Sequence, residues 1–206
     1  GVSGRRGVGG ETCLPWRRRG GGITVCAAAD QRQGLEGIRS PVHHTGIKVQ
    51  NLTRSMAFYS LLGYEEIARF RAGPARAAWL QPAGGESQAP SSQRLELIEV
   101  PAGLDPPQRQ IDLAAPEYLG QTGLNHVAVD ASDWALLAGG LREVLVQLNL
   151  KSEAQFQRSV KLVLPPYQQI IGQEVYELAF VSDPDGTLIE LLAWKGEVPR
   201  PMEPAW

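Results

Sequence analysis

The sequence predicts an α+β fold in which one strand–helix–three-strand unit occurs twice along the chain. Three observations lead to this prediction. Each unit begins with an alternating apolar stretch that contains a histidine, continues with a segment carrying helix signals, and ends in an apolar strand with a central glutamate. With 206 residues, the chain is long enough to bury a substantial core in one large domain or two small ones.

The overall composition excludes several classes of protein. Apolar residues make up 43% of the chain and charged residues 20%, and the formal net charge is −2, values that exclude a disordered chain and a strongly basic nucleic-acid binder. No apolar run approaches the roughly 18 residues that a membrane-spanning helix needs. The two cysteines are too few for a disulfide scaffold or a cysteine-rich zinc site. We therefore expect neither nucleic acid nor a membrane as a partner.

Residues 1–29 differ in composition from the rest of the chain. They hold five arginines and one acid, Glu11, together with both cysteines, and they show no apolar periodicity. An arginine-rich, acid-poor segment that ends in small residues is typical of an organelle transit peptide. Because the sequence around Val25 and Cys26 resembles the processing pattern of plastid leaders, we expect import into the plastid (chloroplast). A disordered basic tail on an otherwise cytoplasmic protein is the alternative.

The first unit spans residues 42–100. An alternating stretch predicts a strand at 42–49, and a helix is expected at 53–62, where Gly63 occupies the position that commonly ends a helix. Three further apolar stretches predict the remaining strands of the unit, at 64–71, 77–81 and 94–100.

The second unit spans residues 121–194. A linker at 101–120, in which four prolines interrupt any regular element, precedes it, and a tail at 195–206 follows it. After an alternating strand at 124–130, a single helix is expected over about 132–147, with an apolar face formed by Trp134, Leu137, Leu141 and Leu145.

The remaining strands of the second unit are predicted at 160–164, 174–181 and 187–194. Asp183-Pro184-Asp185-Gly186 has proline and glycine at positions that suit a tight turn, so the last two strands should form a hairpin. The stretch around 151–173 is expected to form a long loop.

The two units are one pattern repeated. Aligning His44 with His126 brings Glu96 and Glu190 to equivalent positions, each in the middle of the last apolar strand of its unit. The interval from histidine to glutamate is 52 residues in the first unit and 64 in the second, and we assign the difference to the long loop. The sequence therefore predicts an internal duplication.

The repeated histidines and glutamates predict a metal site. A carboxylate within an apolar strand is costly to bury unless it is paired or bound to a metal, although an isolated glutamate there commonly faces solvent. If the units pack about a pseudo-two-fold axis, His44, Glu96, His126 and Glu190 converge on one point. Two imidazoles and two carboxylates suit one divalent ion of Fe, Co, Ni, Zn or Mn. His43 has the opposite strand parity and should lie off the metal.

Four stretches of the sequence resemble the vicinal oxygen chelate superfamily, and within it glyoxalase I most closely. The matching stretches are HHTGIKVQNLTRSMAFYSLLGYEE (43–66), LELIEV (95–100), LNHVAVD (124–130) and AFVSDPDGTLIELL (179–192). The resemblance implies the glyoxalase/bleomycin-resistance/dioxygenase fold, in which two paired βαβββ modules form an eight-stranded open cup around a divalent metal. It places His44, Glu96, His126 and Glu190 on the four metal ligands.

The resemblance also implies an activity. Glyoxalase I isomerises the hemithioacetal of a 2-oxoaldehyde and glutathione through an enediolate held by its metal, as a carbon–sulfur lyase. On this basis Glu190 is expected to be the catalytic base and Glu96 to assist it. The sequence departs from the family at two glutathione-contacting positions, where Lys48 stands for arginine and Val100 for asparagine.

Because the ligands are shared across the superfamily, two alternatives stay open. One is another metalloenzyme of the superfamily, an epimerase or a dioxygenase, and the other is a non-catalytic protein that binds a small ligand. In each case the expected partner is a small molecule, which for a glyoxalase would be a glutathione adduct. The sequence also leaves open whether the two modules close within one chain or swap across a homodimer.

Overall fold

The structure, a computed structural model, describes residues 42–84, 93–104, 106 and 111–201. The predicted leader at 1–29 and the last five residues of the tail lie outside the described residues. None of the helices in the described ranges has the length and apolar character needed to cross a bilayer.

The first module has the predicted order of one strand, one helix and three strands. Its four strands form one mixed sheet in the order β1-β4-β3-β2, in which β1 is parallel to β4 and the other pairs are antiparallel. The elements are β1 (His44–Val49), α1 (Leu52–Leu61), β2 (Tyr64–Ala72), β3 (Ala75–Pro82) and β4 (Arg94–Glu99).

The second module repeats this sheet. Its strands have the equivalent order β5-β8-β7-β6, again with one parallel pair, β5 and β8, at the edge. Within the described residues the two sheets are separate and do not close into a barrel, which is consistent with an open cup. A short helix in the linker, α2 (Pro116–Leu119), precedes the second module, whose elements are β5 (Val127–Asp130), α3 (Ser132–Ala138), α4 (Leu141–Phe156), β6 (Lys161–Ile171), β7 (Glu174–Ser182) and β8 (Leu188–Glu197).

The helix predicted at 132–147 is in fact two helices. Gly139 and Gly140 separate α3 from α4, and both have positive φ, at 94° and 130°, a conformation that only glycine adopts without strain. The break also overturns the single apolar face predicted for this segment. Leu137 is 86% exposed, whereas Leu141 is fully buried.

The prediction of a long loop around 151–173 is also wrong. Helix α4 continues to Phe156, and β6 then occupies the eleven residues Lys161–Ile171. Gln157, in the left-handed conformation, ends the helix. The additional residues of the second module therefore extend a helix and a strand.

Local signals explain why α1 forms where it does. The side chain of Asn51 accepts a hydrogen bond from the backbone N–H of Arg54 at 2.9 Å and so caps the first turn. Gly63, with φ at 83°, follows the helix as predicted and turns the chain into β2. The predicted start at residue 53 is one residue too late, because Asn51 is the cap and the helix begins at Leu52.

One apolar core serves both modules. It contains side chains from both sheets and from α1 and α4, among them Leu97, Leu148 and Ile189, all fully buried. Because side chains alternate along a strand, each sheet turns one face to this core and leaves the other face open. The open faces are where the predicted ligands lie.

Buried and partly buried polar contacts join α1 of the first module to the turn between β7 and β8 of the second. Arg54 pairs with Asp185 at 2.5 Å, and Ser55 donates to the same carboxylate at 3.0 Å. Tyr59 donates its phenolic O–H to Asp183 at 3.1 Å, and burial raises the pKa of both side chains. The predicted turn at 183–186 is therefore also a contact between the modules.

Candidate metal centre

The first predicted pair, His44 and Glu96, comes together on the open face of the first sheet. The two neighbours of Glu96 in β4, Leu95 and Leu97, are buried in the core, so Glu96 points to the opposite side. Its Oε2 lies 2.6 Å from Nε2 of His44. The side chain of Glu96 is 13% exposed and that of His44 is 31% exposed, which leaves the pair accessible from one side.

The second predicted pair repeats this arrangement. Ile189 and Leu191 are fully buried, and Glu190 between them points to the open face of the second sheet. Its Oε2 lies 3.1 Å from Nε2 of His126, and the exposed fractions are again 13% for the glutamate and 34% for the histidine. The duplication predicted from the sequence thus extends to side-chain geometry.

Strand register shows that the two pairs are structurally equivalent. Glu96 stands opposite Gly46 in the parallel neighbour, and Glu190 stands opposite Ala128. On the antiparallel side each glutamate faces an aromatic residue, which is Trp79 in the first module and Phe180 in the second. Each histidine packs against that aromatic ring, with centroids 5.8 Å and 5.6 Å apart.

Within one chain the structure does not bring the four side chains to a single point. Among the described residues, no group of three or more histidine, cysteine, aspartate or glutamate side chains is close enough to hold one ion. The reason is the packing of the modules, because both sheets turn their apolar faces to the shared core and carry the His–Glu pairs on their open faces. Each chain therefore presents two half-sites.

Each histidine is held by the residue that precedes it. Nδ1 of His126 lies 2.9 Å from Oδ1 of Asn125, whose amide in turn donates to the hydroxyl of Tyr118 at 3.0 Å. Nδ1 of His44 lies 2.9 Å from Nδ1 of His43. Such contacts orient an imidazole and leave its Nε2 for the glutamate or a metal. The sequence indicates no role for His43 beyond lying off the metal and does not single out Asn125, although both precede the repeated histidine.

The donor chemistry fits a divalent ion. Each half-site offers one imidazole nitrogen and one carboxylate oxygen. Oδ1 of Asn125 can accept a hydrogen bond from Nδ1–H of His126, a tautomer that leaves the lone pair on Nε2. Imidazole and carboxylate together suit first-row divalent ions. His44, Glu96, His126 and Glu190 are thus suitable ligands, two from each module.

A cleft of about 800 Å³ reaches the second half-site from the side of the first module. His126 and Asn125 line it together with Tyr118 of the linker and Lys48, the position where the resemblance expects an arginine. Lys48 is exposed, so its ammonium group is available to a ligand in the cleft.

Tyr167 is a further residue at the second half-site that the sequence did not indicate. It lies on β6 and is 37% exposed. Partial burial raises the pKa of its phenol, and the nearby negative charge of Glu190 raises it further. Tyr167 therefore stays protonated beside the half-site. Its position follows from the pairing of β6 with β7, and no local motif marks it.

Comparison with known proteins identifies the fold. No protein-family model matches the sequence, and no curated protein matches it either. The structure of a glyoxalase family protein from Bacillus cereus superposes with a TM-score of 0.50, covering 82% of this chain and 100% of that protein at 19% sequence identity. The chain therefore has the α+β fold of the glyoxalase proteins, as the sequence predicted.

Two further solved structures are similar. A glyoxalase family protein from Enterococcus faecalis has a TM-score of 0.48 and 22% identity, over 73% of this chain and 95% of its own. The trypanothione-dependent glyoxalase I of Leishmania major has a TM-score of 0.45 and 24% identity, over 75% of this chain and 87% of its own.

Proposed function

We propose that this chain, which has the fold of the glyoxalase proteins, is a divalent-metal-dependent enzyme that isomerises the hemithioacetal of a 2-oxoaldehyde and a thiol. The observation that carries the proposal is the repeated His–Glu pair. Both pairs have an Nε2–Oε2 contact, at 2.6 Å and 3.1 Å, and carboxylates with the same exposed fraction of 13%. Two equivalent N,O half-sites on open faces are difficult to explain by fold stability alone.

His44, Glu96, His126 and Glu190 would hold the ion. When bound, the metal would supply Lewis acidity for the negative charge that develops on the substrate oxygens. Residues of the chain transfer the proton and orient the ligands. A carboxylate oxygen of Glu190 takes the proton from the substrate carbon and returns it to the neighbouring carbon, with Glu96 assisting from the equivalent position. Asn125 and His43 keep the two imidazoles in their orientation.

We further propose that a second copy of the chain completes the site. Because the half-sites of one chain lie on separate open faces, a full set of four ligands requires the first module of one copy to meet the second module of another. In a two-fold symmetric dimer this contact occurs twice. The open faces of the sheets are then covered in the assembly, and each dimer contains two equivalent sites.

The substrate would enter through the cleft beside His126. Lys48 lines this cleft and carries a positive charge that suits an anionic thiol such as glutathione. A lysine attracts a carboxylate as a point charge and lacks the two-pronged geometry of arginine. We therefore propose an adduct of an anionic thiol as the substrate.

The test of this function combines metal analysis with a turnover assay. The purified full chain is analysed for Ni, Co, Zn, Mn and Fe, is then stripped with a chelator, and is reloaded with each metal in turn. Turnover of the hemithioacetal of methylglyoxal and glutathione with one or more metals is the expected result. A protein that binds none of the metals, or that binds one and consumes oxygen without turning over the hemithioacetal, would contradict the proposal.

A further inference from the structure

The two open faces differ at two positions next to the His–Glu pairs. Trp79 in the first module corresponds to Phe180 in the second, because each stands opposite the glutamate of its module. Arg94 lies two residues before Glu96, and Leu188 lies two residues before Glu190. The first half-site therefore has an indole and a guanidinium where the second has only apolar side chains.

Arg94 is held in place beside the first half-site. It is on the same strand and the same face as Glu96, and it pairs in register with His44. Its guanidinium carbon lies 5.9 Å from the centre of the Trp79 ring, within the range of a cation–π interaction. Among the described residues, no carboxylate forms an ion pair with it.

Both residues also have a buried donor without an acceptor. Nε of Arg94 and Nε1 of Trp79 are shielded from solvent, and neither has a hydrogen-bond partner in the described part of the chain. Buried N–H groups are almost always paired in folded proteins, since an unpaired one loses its hydration without compensation. Two such donors on neighbouring side chains point to an acceptor that is not part of the described residues.

There is also room for a ligand beside Glu96, next to this pair of side chains. Gly46 stands opposite Glu96 on the neighbouring strand, and a Cβ atom at Gly46 would meet no other atom within 4 Å. The space over the parallel pair of strands is thus open to a small group. Glu96 borders this space on β4, and Arg94 lies two residues before it on the same face. Trp79 lies on the other side of Glu96, on β3.

We propose that Arg94 and Trp79 form an anion subsite that binds a carboxylate at the reacting end of the substrate. The guanidinium supplies the charge and the indole N–H a second donor. Since adjacent strands lie about 4.8 Å apart and alternate residues of a strand about 6.6 Å apart, the subsite is near enough to the His–Glu pair for a carboxylate on the reacting carbon chain. The proposed substrate class is therefore a carboxylate-bearing hemithioacetal, an assignment that rests on the proposed function.

The second module determines the orientation in which the substrate binds. Phe180 is 9% exposed and Leu188 is 3% exposed, so the corresponding part of the second half-site is apolar. A carboxylate is favoured at the first module and disfavoured at the second, where it would lose hydration without gaining a donor. The duplication thus keeps the ligand pair equivalent and makes the substrate-binding surroundings unequal.

The test uses mandelate and its uncharged amide, mandelamide, as probes that differ only in charge and donor pattern. Affinity is measured by calorimetric titration of the full chain, both as purified and after chelator treatment, so that the result can be interpreted whether or not the protein binds a metal. Binding at Trp79 is followed by the indole N–H signal of this residue in a ¹H–¹⁵N spectrum. The signal is assigned by its absence from the spectrum of Trp79→Phe.

We expect mandelate to bind at least about tenfold more tightly than mandelamide, because one charge-assisted hydrogen bond contributes a difference of this size. Mandelate should also shift the indole signal of Trp79. Arg94→Leu, which installs the residue of the second module, should remove this preference, and Trp79→Phe should weaken it. Arg71→Leu, an exposed arginine on β2 of the same sheet, is the control of equal charge and should bind mandelate like the wild type.

Two results would overturn the proposal. They are equal affinities for mandelate and mandelamide, and an unchanged preference for mandelate in the Arg94→Leu variant. If the unchanged preference is accompanied by loss of the dimer, Arg94 contacts an acid of the second copy instead of the substrate. Thermal unfolding of each variant establishes that it is folded, and Arg94→Lys, which keeps the charge, should retain part of the preference.

Discussion

Tyr59 and Asp183 form a buried hydrogen bond between the two modules, with the phenolic oxygen 3.1 Å from the carboxylate. Tyr59 is fully buried and Asp183 is 3% exposed. Backbone N–H groups of Asp185 and Thr187 donate to the other oxygen of the same carboxylate. The contact holds α1 of the first module on the turn that leads into the strand of Glu190. It therefore links the packing of one module to the half-site of the other.

Replacement of Tyr59 by phenylalanine should destabilise the fold and change its response to alkali. Loss of the hydroxyl leaves a buried oxygen of Asp183 with one donor fewer, at an expected cost of about 1–2 kcal/mol in the free energy of unfolding. Burial first, and the charge of Asp183 second, raise the pKa of Tyr59 above its ordinary value of 10.0. Above that pH the unfolded chain releases the phenolic proton and the folded chain keeps it.

It follows that the unfolding free energy of the wild type falls as the pH rises above 10.0, the ordinary pKa of a tyrosine. Tyr59 contributes up to about 1.4 kcal/mol to this fall for each pH unit. Tyr59→Phe should lack this component and show a shallower fall. Urea unfolding at pH 8 and at several values above pH 10 measures both slopes. Parallel slopes in the two proteins would show that Tyr59 does not stay protonated in the folded state.

The second half-site should lose its metal when either its histidine or its glutamate is replaced. His126→Ala removes the imidazole and Glu190→Gln removes the negative charge, and each should reduce bound metal or turnover at least about tenfold. Glu197→Gln, an exposed glutamate on the same strand β8, is the matched control and should behave like the wild type. Metal content measured by mass spectrometry and hemithioacetal turnover test both variants. Wild-type values in both would remove the proposed site.

Asn125 should affect the metal through His126 alone. Its Oδ1 holds Nδ1 of His126 at 2.9 Å, so Asn125→Ala should weaken metal affinity by about tenfold or more. Because Asn125 is exposed, thermal unfolding of the metal-free protein should be little changed. Asn125→Asp keeps the acceptor oxygen and should recover most of the affinity. If Asn125→Ala lowers thermal stability and leaves competition with a chelator unchanged, the residue is structural only.

The leader proposed at 1–29 should be dispensable for folding. A chain that begins at residue 30 should unfold cooperatively at the same temperature as the full chain and bind the same amount of metal, since the proposed core and ligands all follow it. Calorimetry and metal analysis of the two chains make the comparison. Aggregation or loss of cooperative unfolding in the shorter chain would contradict the leader interpretation.

Patterns that repeat along the chain allowed the most reliable predictions. Alternation placed Glu96 and Glu190 opposite buried neighbours, and the repeat paired each of them with the correct histidine. Both results depend on a period of two residues, which the backbone of a strand enforces. The fold class followed from the same duplication. For this reason the sequence indicates which histidine and which glutamate belong together in each module, although it predicts one shared site where one chain has two half-sites.

Features that depend on conformation or on distant contacts were missed. The break between α3 and α4 required both Gly139 and Gly140 to take positive φ, whereas an apolar spacing continues across them. The pair of Arg54 and Asp185 joins residues 131 positions apart, and no local pattern indicates that the two side chains meet. The separation of the half-sites has the same origin, since it follows from which sheet faces share the core.

Complementation tests most directly whether two copies of the chain share each metal site. One variant, His44→Ala with Glu96→Gln, lacks the first half-site, and the other, His126→Ala with Glu190→Gln, lacks the second. Each alone should bind almost no metal, because every site in its dimer has lost two of its ligands.

Co-expression with two different affinity tags allows the mixed dimer to be isolated by tandem purification. By the symmetry of the dimer, one site then contains all four native ligands, and we expect one tightly bound metal ion per mixed dimer and about half of the wild-type turnover. Metal content of the mixed dimer equal to that of the parent variants would contradict the account.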